Sequence, residues 1–102
     1  MKAQKIPAKI LVVDDESSMR ELLAILLQRE GYQVEQAANG VAGLEKIIAG
    51  GFDLVISDIQ MPKMTGIELL RQIRQREIEV TVMMITAFSS TEQAVEAMKL
   101  GA

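Results

Sequence analysis

Chemistry in this chain has to run on carboxylates, hydroxyls, lysines or backbone groups. No cysteine and no histidine occurs among its 102 residues. That excludes disulfides, thiol nucleophiles, zinc sites of the usual Cys/His kind, and Ser-His or Cys-His nucleophile pairs. The aspartates are few and unevenly placed: Asp14, Asp15, Asp53 and Asp58. Asp14 and Asp15 directly follow the apolar run Ile10-Leu11-Val12-Val13. Asp58 follows the run Leu54-Val55-Ile56-Ser57, whereas Asp53 precedes it. If both runs are parallel strands, Asp14, Asp15 and Asp58 meet at their carboxyl ends and Asp53 lies at the opposite end.

Three clustered carboxylates raise one another's pKa. A divalent cation removes that cost. An oxygen-only ligand set suits Mg²⁺, which keeps several waters and takes one or two carboxylates. Asp14 or Asp15 alone is explained as a turn or helix N-terminus, where aspartate is favoured anyway. The pair taken with Asp58 is not. A carboxylate with an ordinary pKa of about 3.9 is ionised at neutral pH. It needs no general base to act as a nucleophile. Attack on a phosphoryl group gives an aspartyl phosphate, and Mg²⁺ would neutralise charge on the transferring group. Thr86 follows a further apolar run, Val80–Ile85. Its hydroxyl, or the backbone N–H of Ala87, could bond a phosphoryl oxygen. A lone threonine there is equally a turn or helix-approach residue.

The elements that must position these groups alternate along the chain. Ile10–Val13 has branched residues and no alternation, as expected of a strand buried on both faces. A helix follows, with Ser18 and Glu21 as a capping box, Met19, Leu22, Leu23, Leu26 and Leu27 as its apolar stripe, and Gly31 at its end. Gln33–Ala37 alternates weakly and suits an edge strand. Asn39 caps a short helix carrying Val41, Leu44, Ile47 and Ile48, which ends at Gly50-Gly51. Leu54–Ser57 is the third strand. Thr65 and Glu68 form a second capping box, for a helix with Ile67, Leu70 and Ile73 inward. Val80–Ile85 is the fourth strand. Ser90 or Thr91 then caps a last helix bearing Val95, Met98 and Leu100, and Ser89 and Gln93 also read as capping chemistry. Met61-Pro62 and Gly66 read as loop-shaping residues. Met19, Met83, Met84 and Met98 read as core filler. The sum is a (βα)₄ α/β chain with a parallel sheet covered on both faces, in one domain over residues 1–102. In such sheets the ligand crevice lies at the carboxyl ends of the strands.

Taken together, these residues resemble the receiver domain of bacterial response regulators. The carrying pattern is Val12-Val13-Asp14-Asp15-Glu16, Asp58-Ile59-Gln60-Met61-Pro62, Gly66 and Ile85-Thr86-Ala87, and it runs over residues 9–102. The stretch Ile85 to Ala102 looks most like receivers attached to sigma-54-dependent transcription activators. The resemblance implies a flavodoxin-like doubly wound sheet with strand order 2-1-3-4. It implies that Asp58 is the phosphoacceptor, taking its phosphoryl group from a phosphohistidine on a sensor histidine kinase. It implies that Asp15, Asp58 and the backbone carbonyl of Gln60 ligate Mg²⁺, and that Asp14 acts through a metal-bound water. Thr86 would be the switch hydroxyl, reporting the phosphoryl group to an output domain.

Receivers continue with a fifth strand and helix, and a lysine after that strand contacts the phosphoryl group. This chain ends at Gly101-Ala102, before both. The expectation is therefore a receiver truncated before its fifth strand. Mg²⁺ binding should largely survive in it, and phosphorylation should be impaired. Lys99 falls in the last helical pattern and is expected to be solvated, so it is no substitute. An open edge on the fourth strand would invite a homodimer or domain swapping.

Bulk properties narrow the alternatives. Hydrophobic residues make up 49% and charged residues 25%, ordinary for one folded domain. The net charge of −3 gives no reason to expect nucleic-acid binding by this segment. Lys2, Lys5 and Lys9 read as a solvated lead-in. The apolar runs are too short to span a membrane and no signal-peptide pattern is visible, which makes a cytoplasmic location the expectation. A haloacid-dehalogenase-like phosphatase would carry a second aspartate two residues after its nucleophile, where this chain has Gln60. A signalling module is thus expected rather than a turnover enzyme. The alternative is an inert or partner-swapped receiver fragment that works only as an interaction module.

Overall fold

The computed structural model describes residues 8–85 and 99–101. The strands are Lys9–Val13 (β1), Gln33–Ala37 (β2), Leu54–Asp58 (β3) and Thr81–Ile85 (β4). The helices are Ser17–Arg29 (α1), Gly40–Ala49 (α2) and Gly66–Gln75 (α3). Expectations that fall on residues 86–98, including Thr86, Ala87 and most of the last helix, lie outside the described residues.

The four strands form one parallel sheet in the order β2-β1-β3-β4. Both the class and the strand order agree with expectation. The apolar runs explain the sheet's two covered faces. Leu11, Val13 and Val55 point to one side, into a cluster with Leu44, Ile47, Leu69, Leu70 and Ile73 from α2 and α3. Ile10, Val12 and Ile56 point to the other, where Leu23 and Leu27 of α1 cover them. Central strands buried on both faces have no use for alternation. Each such side chain stabilises the fold by about 1.5–3 kcal/mol. Register then fixes the site, because Val13 pairs with Ser57, and Asp58 with Ile85. No helix among the described residues is long and apolar enough to cross a membrane.

Several local expectations need correction. α1 is capped by Glu16, whose carboxylate accepts the Met19 N–H at 3.0 Å, and Ser18 lies inside the helix. The cause is the preceding turn. Asp14 Oδ1 accepts the Glu16 N–H at 3.0 Å, and Glu16 takes an extended backbone from which the helix begins. A carboxylate at that end also complements the helix dipole. The α1 stripe is narrower than its periodicity suggests. Leu23 and Leu27 pack on the sheet, whereas Met19, Leu22 and Leu26 are exposed, Leu22 by 50%. The fully buried residue of α1 is Ala24.

On α2, Val41 and Ile48 also face outward. The inner face is Gly40, Gly43, Leu44 and Ile47. A Cβ on Gly43 would stand 3.0 Å from the Val13 side chain. The glycines therefore let α2 sit close on the sheet and turn its larger residues away. Met83 is half exposed rather than core, and Met84 is partly buried. The Thr65 cap holds, with Oγ1 accepting the Glu68 N–H at 3.1 Å. The reciprocal arm of the box is diverted, because the Glu68 carboxylate accepts from Arg71 and Gln72 instead. Asn39, Gly31 and Gly50 end or begin their helices as expected.

Candidate functional site

Asp14 continues the line of β1 by one residue, its N–H donating to the Ala37 carbonyl at 3.2 Å. It is only 3% exposed. Asp15 is exposed at the start of the turn, and Asp58 is half-buried at the end of β3. One carboxylate oxygen from each of Asp14, Asp15 and Asp58 lies within 4.8 Å of the others. Among the described residues this is the acidic group that could hold a metal ion. Asp53 is at the opposite end of the sheet, where its Oδ2 accepts the Lys9 N–H at 2.8 Å. The separation of the four aspartates read from the apolar runs is the one observed.

The electrostatics of the cluster follow from its geometry. Burial pushes the Asp14 carboxyl above its ordinary value, the N–H of Glu16 works against the rise, and the charges of Asp58, Asp15 and Glu16 add to it. The donor set is all oxygen. Its span is close to the roughly 4.2 Å between opposite ligands of an octahedral Mg²⁺ ion. The residues present therefore fit that cation.

The loop after β3 is shaped closely around Asp58. The N–H of Gln60 donates to Asp58 Oδ1 at 3.2 Å, and Ser57 Oγ donates to the Asp58 carbonyl at 3.0 Å. Gly66 brings the start of α3 against this loop. Its N–H donates to the Ile59 carbonyl at 2.9 Å. A Cβ on Gly66 would lie 2.2 Å from the Asp58 carbonyl oxygen. The loop-shaping role read for Gly66 thus has a definite object, the backbone of Asp58. Met61 is buried in the core, beneath the loop.

Arg20 escaped the reading of the sequence. Its Nη1 donates to the Asp14 carbonyl at 2.9 Å and its Nε to Gln36 Oε1 at 3.0 Å. The signal that could have found it is a cation in the first turn of a helix, where the dipole disfavours one. Lys99 is helical and exposed, in keeping with a solvated head. A cleft of about 520 Å³ between Asn39–Ala42 and Pro62–Met64, and another of about 420 Å³ near Asp53, contain none of the three clustered aspartates.

Comparison with known proteins agrees with this geometry. The family model "response regulator receiver domain" matches residues 10–102. The transcriptional regulatory protein ZraR of Klebsiella oxytoca is 47% identical over 93 residues, covering 91% of this chain and 21% of ZraR. The chain thus spans about a fifth of that relative's length. A CheY-like response regulator receiver domain protein from Methanospirillum hungatei superposes with a TM-score of 0.90 at 35% identity, over 95% of this chain and 78% of that one. The response regulator TrrA of Thermotoga maritima, solved in complex with Mg²⁺-BeF, gives a TM-score of 0.83 at 39% identity, over 92% of this chain and 81% of its own. The chain belongs to the response regulator receiver domain family, the signalling domains of two-component systems.

Proposed function

We propose that this chain is the phosphoacceptor module of a two-component response regulator, with Asp58 as the accepting residue. The observation that carries the reading is the convergence of Asp14, Asp15 and Asp58 at one end of the sheet. A sensor histidine kinase is the proposed donor. An Asp58 oxygen attacks phosphorus, the P–N bond of the donor phosphohistidine breaks, and the histidine nitrogen leaves with the electron pair. Asp15, Asp58 and the Gln60 carbonyl would hold Mg²⁺, with Asp14 acting through a water. When bound, the ion would neutralise charge on the transferring group. The N–H of Gln60 orients the Asp58 carboxylate for attack. Thr86 is the proposed switch hydroxyl; it follows Ile85, the residue paired with Asp58.

The module would act as a signalling element rather than a turnover enzyme, in the cytoplasm, on an output domain concerned with transcription. The names of its relatives as transcriptional regulatory proteins support that output. A net charge of −3 supports an output that lies outside this segment rather than nucleic-acid binding by it. The side of β4 that no described strand pairs is the proposed surface for a homodimer.

Incubation with Mg²⁺ and acetyl phosphate tests the central claim. The expected result is a mass gain of one phosphoryl group that is absent without Mg²⁺ and absent in Asp58→Asn. No gain in the unaltered chain would instead favour an inert interaction module. A gain that persists in Asp58→Asn would move the acceptor elsewhere.

A further inference from the structure

We infer that Arg20 is a positioning residue for the acidic site, holding the turn between β1 and α1 in the geometry that lets Asp14 and Asp15 share a cation with Asp58. The inference rests on the Mg²⁺ reading above.

Asp14 is held at three points. Its N–H bonds the Ala37 carbonyl, its Oδ1 takes the Glu16 N–H, and its carbonyl oxygen takes Arg20 Nη1. The last contact matters most for Asp15. The Asp14 carbonyl belongs to the planar peptide that joins Asp14 to Asp15, so fixing that oxygen fixes the plane. Rotation of the plane would swing the Asp15 side chain away from Asp58. Asp15 is exposed, so little packing is available to hold its direction. Arg20 is itself oriented, because its Nε bonds Gln36 Oε1 on β2. One planar group therefore ties α1, β2 and the turn together.

The position is unfavourable for a cation on general grounds. The N-terminal turn of a helix disfavours positive charge, and a guanidinium near the cluster also repels a bound Mg²⁺ ion. Geometry and charge thus act in opposite directions on metal affinity. Arg20→Lys separates them, since lysine keeps the charge and loses the rigid fork. Gln36→Ala removes the orienting contact without altering α1.

The test is Mg²⁺ titration of the unaltered chain and of Arg20→Lys, Gln36→Ala, the double variant and Asp15→Asn, followed by backbone amide NMR. The metal-free spectra report whether each variant is folded. Arg20→Lys is expected to weaken Mg²⁺ binding about tenfold, the lower end of the range for outer-shell partners of metal ligands. Gln36→Ala should weaken it less. In the Arg20→Lys background Gln36→Ala should add almost nothing, because both act through one group. If Arg20→Lys fails to fold, the loss of affinity in Gln36→Ala decides the matter. Unchanged affinity in the folded variants, with Asp15→Asn still abolishing binding, would overturn the role of Arg20 and leave the metal site standing. A loss of metal-free stability with affinity unchanged would also overturn it. Absence of Mg²⁺ binding in the unaltered chain would remove the metal site and this inference together.

Discussion

Asp14 carries the electrostatic cost of the site. It is buried beside two other carboxylates, and burial is the largest cause of its raised pKa. A carboxyl whose folded pKa lies above its unfolded value binds its proton more tightly in the native state. Its contribution to stability is therefore present at low pH. It is lost as pH rises from the ordinary carboxylate range through the raised value. At neutral pH without metal, Asp14 should weaken the fold. Asp14→Asn removes one negative charge while retaining an oxygen to accept the Glu16 N–H. We expect it to stabilise the metal-free protein at pH 7 by about 1 kcal/mol, the Coulomb scale for like charges some 4 Å apart in water. It should also flatten the pH dependence of melting. In Mg²⁺ the unaltered chain should recover most of that difference and the variant should gain little. Thermal melts with and without Mg²⁺ measure both effects. A metal-free Asp14→Asn protein less stable than its parent would contradict this account.

At the scale of the element, α3 and the loop before it are coupled through Gly66. The atoms a Cβ would meet there are backbone, the Asp58 carbonyl at 2.2 Å and the Ile59 Cα at 3.0 Å, and no side-chain rotation relieves them. Gly66→Ala should cost about 3 kcal/mol, the upper part of the usual overpacking range. It should also depress phosphorylation at Asp58. Thr65→Ala, which loses only the cap to Glu68, should cost about 1 kcal/mol and leave phosphorylation largely intact. Urea melts compared with the acetyl phosphate assay distinguish the two; equal effects of both substitutions on phosphorylation would argue against a specific role for Gly66.

The same elements show how much of the molecule was legible beforehand. Strands β1 and β3 could be read because burial on both faces leaves a run without alternation, and their ends located Asp14, Asp15 and Asp58. The N-terminus of α1 could not. Ser18 and Glu21 satisfy a capping pattern, but the bond from Glu16 to Asp14 starts the helix two residues earlier, at Ser17. Periodicity announces an apolar face but not its rotation, which on α2 is set by Gly40 and Gly43 against Met64 and Val13. Arg20 carried only the signal of a cation in the first turn of a helix, because one of its partners is a main-chain carbonyl, which no residue type announces.

At the scale of the sheet, the side of β4 that no described strand pairs is the feature with consequences. Among the described residues, β4 pairs with β3 alone. The Thr81 N–H donates to the Asp53 carbonyl and the Ile85 carbonyl accepts from Ile59, so these residues turn their backbone groups toward β3. By the two-residue period of a strand, Val82 and Met84 turn theirs outward. Met83 is half exposed on the sheet face that α1 covers, since it pairs with Ile56. A single exposed apolar residue is ordinary on a surface, but beside a strand edge that no described strand pairs it favours a second copy. Sedimentation equilibrium should show an average mass that rises toward the dimer with concentration. Met83→Lys should shift that curve toward monomer, because a charge beside the edge is costly to cover. It should leave Mg²⁺ binding unchanged, because Met83 lies two residues before the strand end that faces Asp58. A monomer at every concentration would mean that β4 is not a pairing surface in this chain. A dimer indifferent to Met83→Lys would place the contact elsewhere.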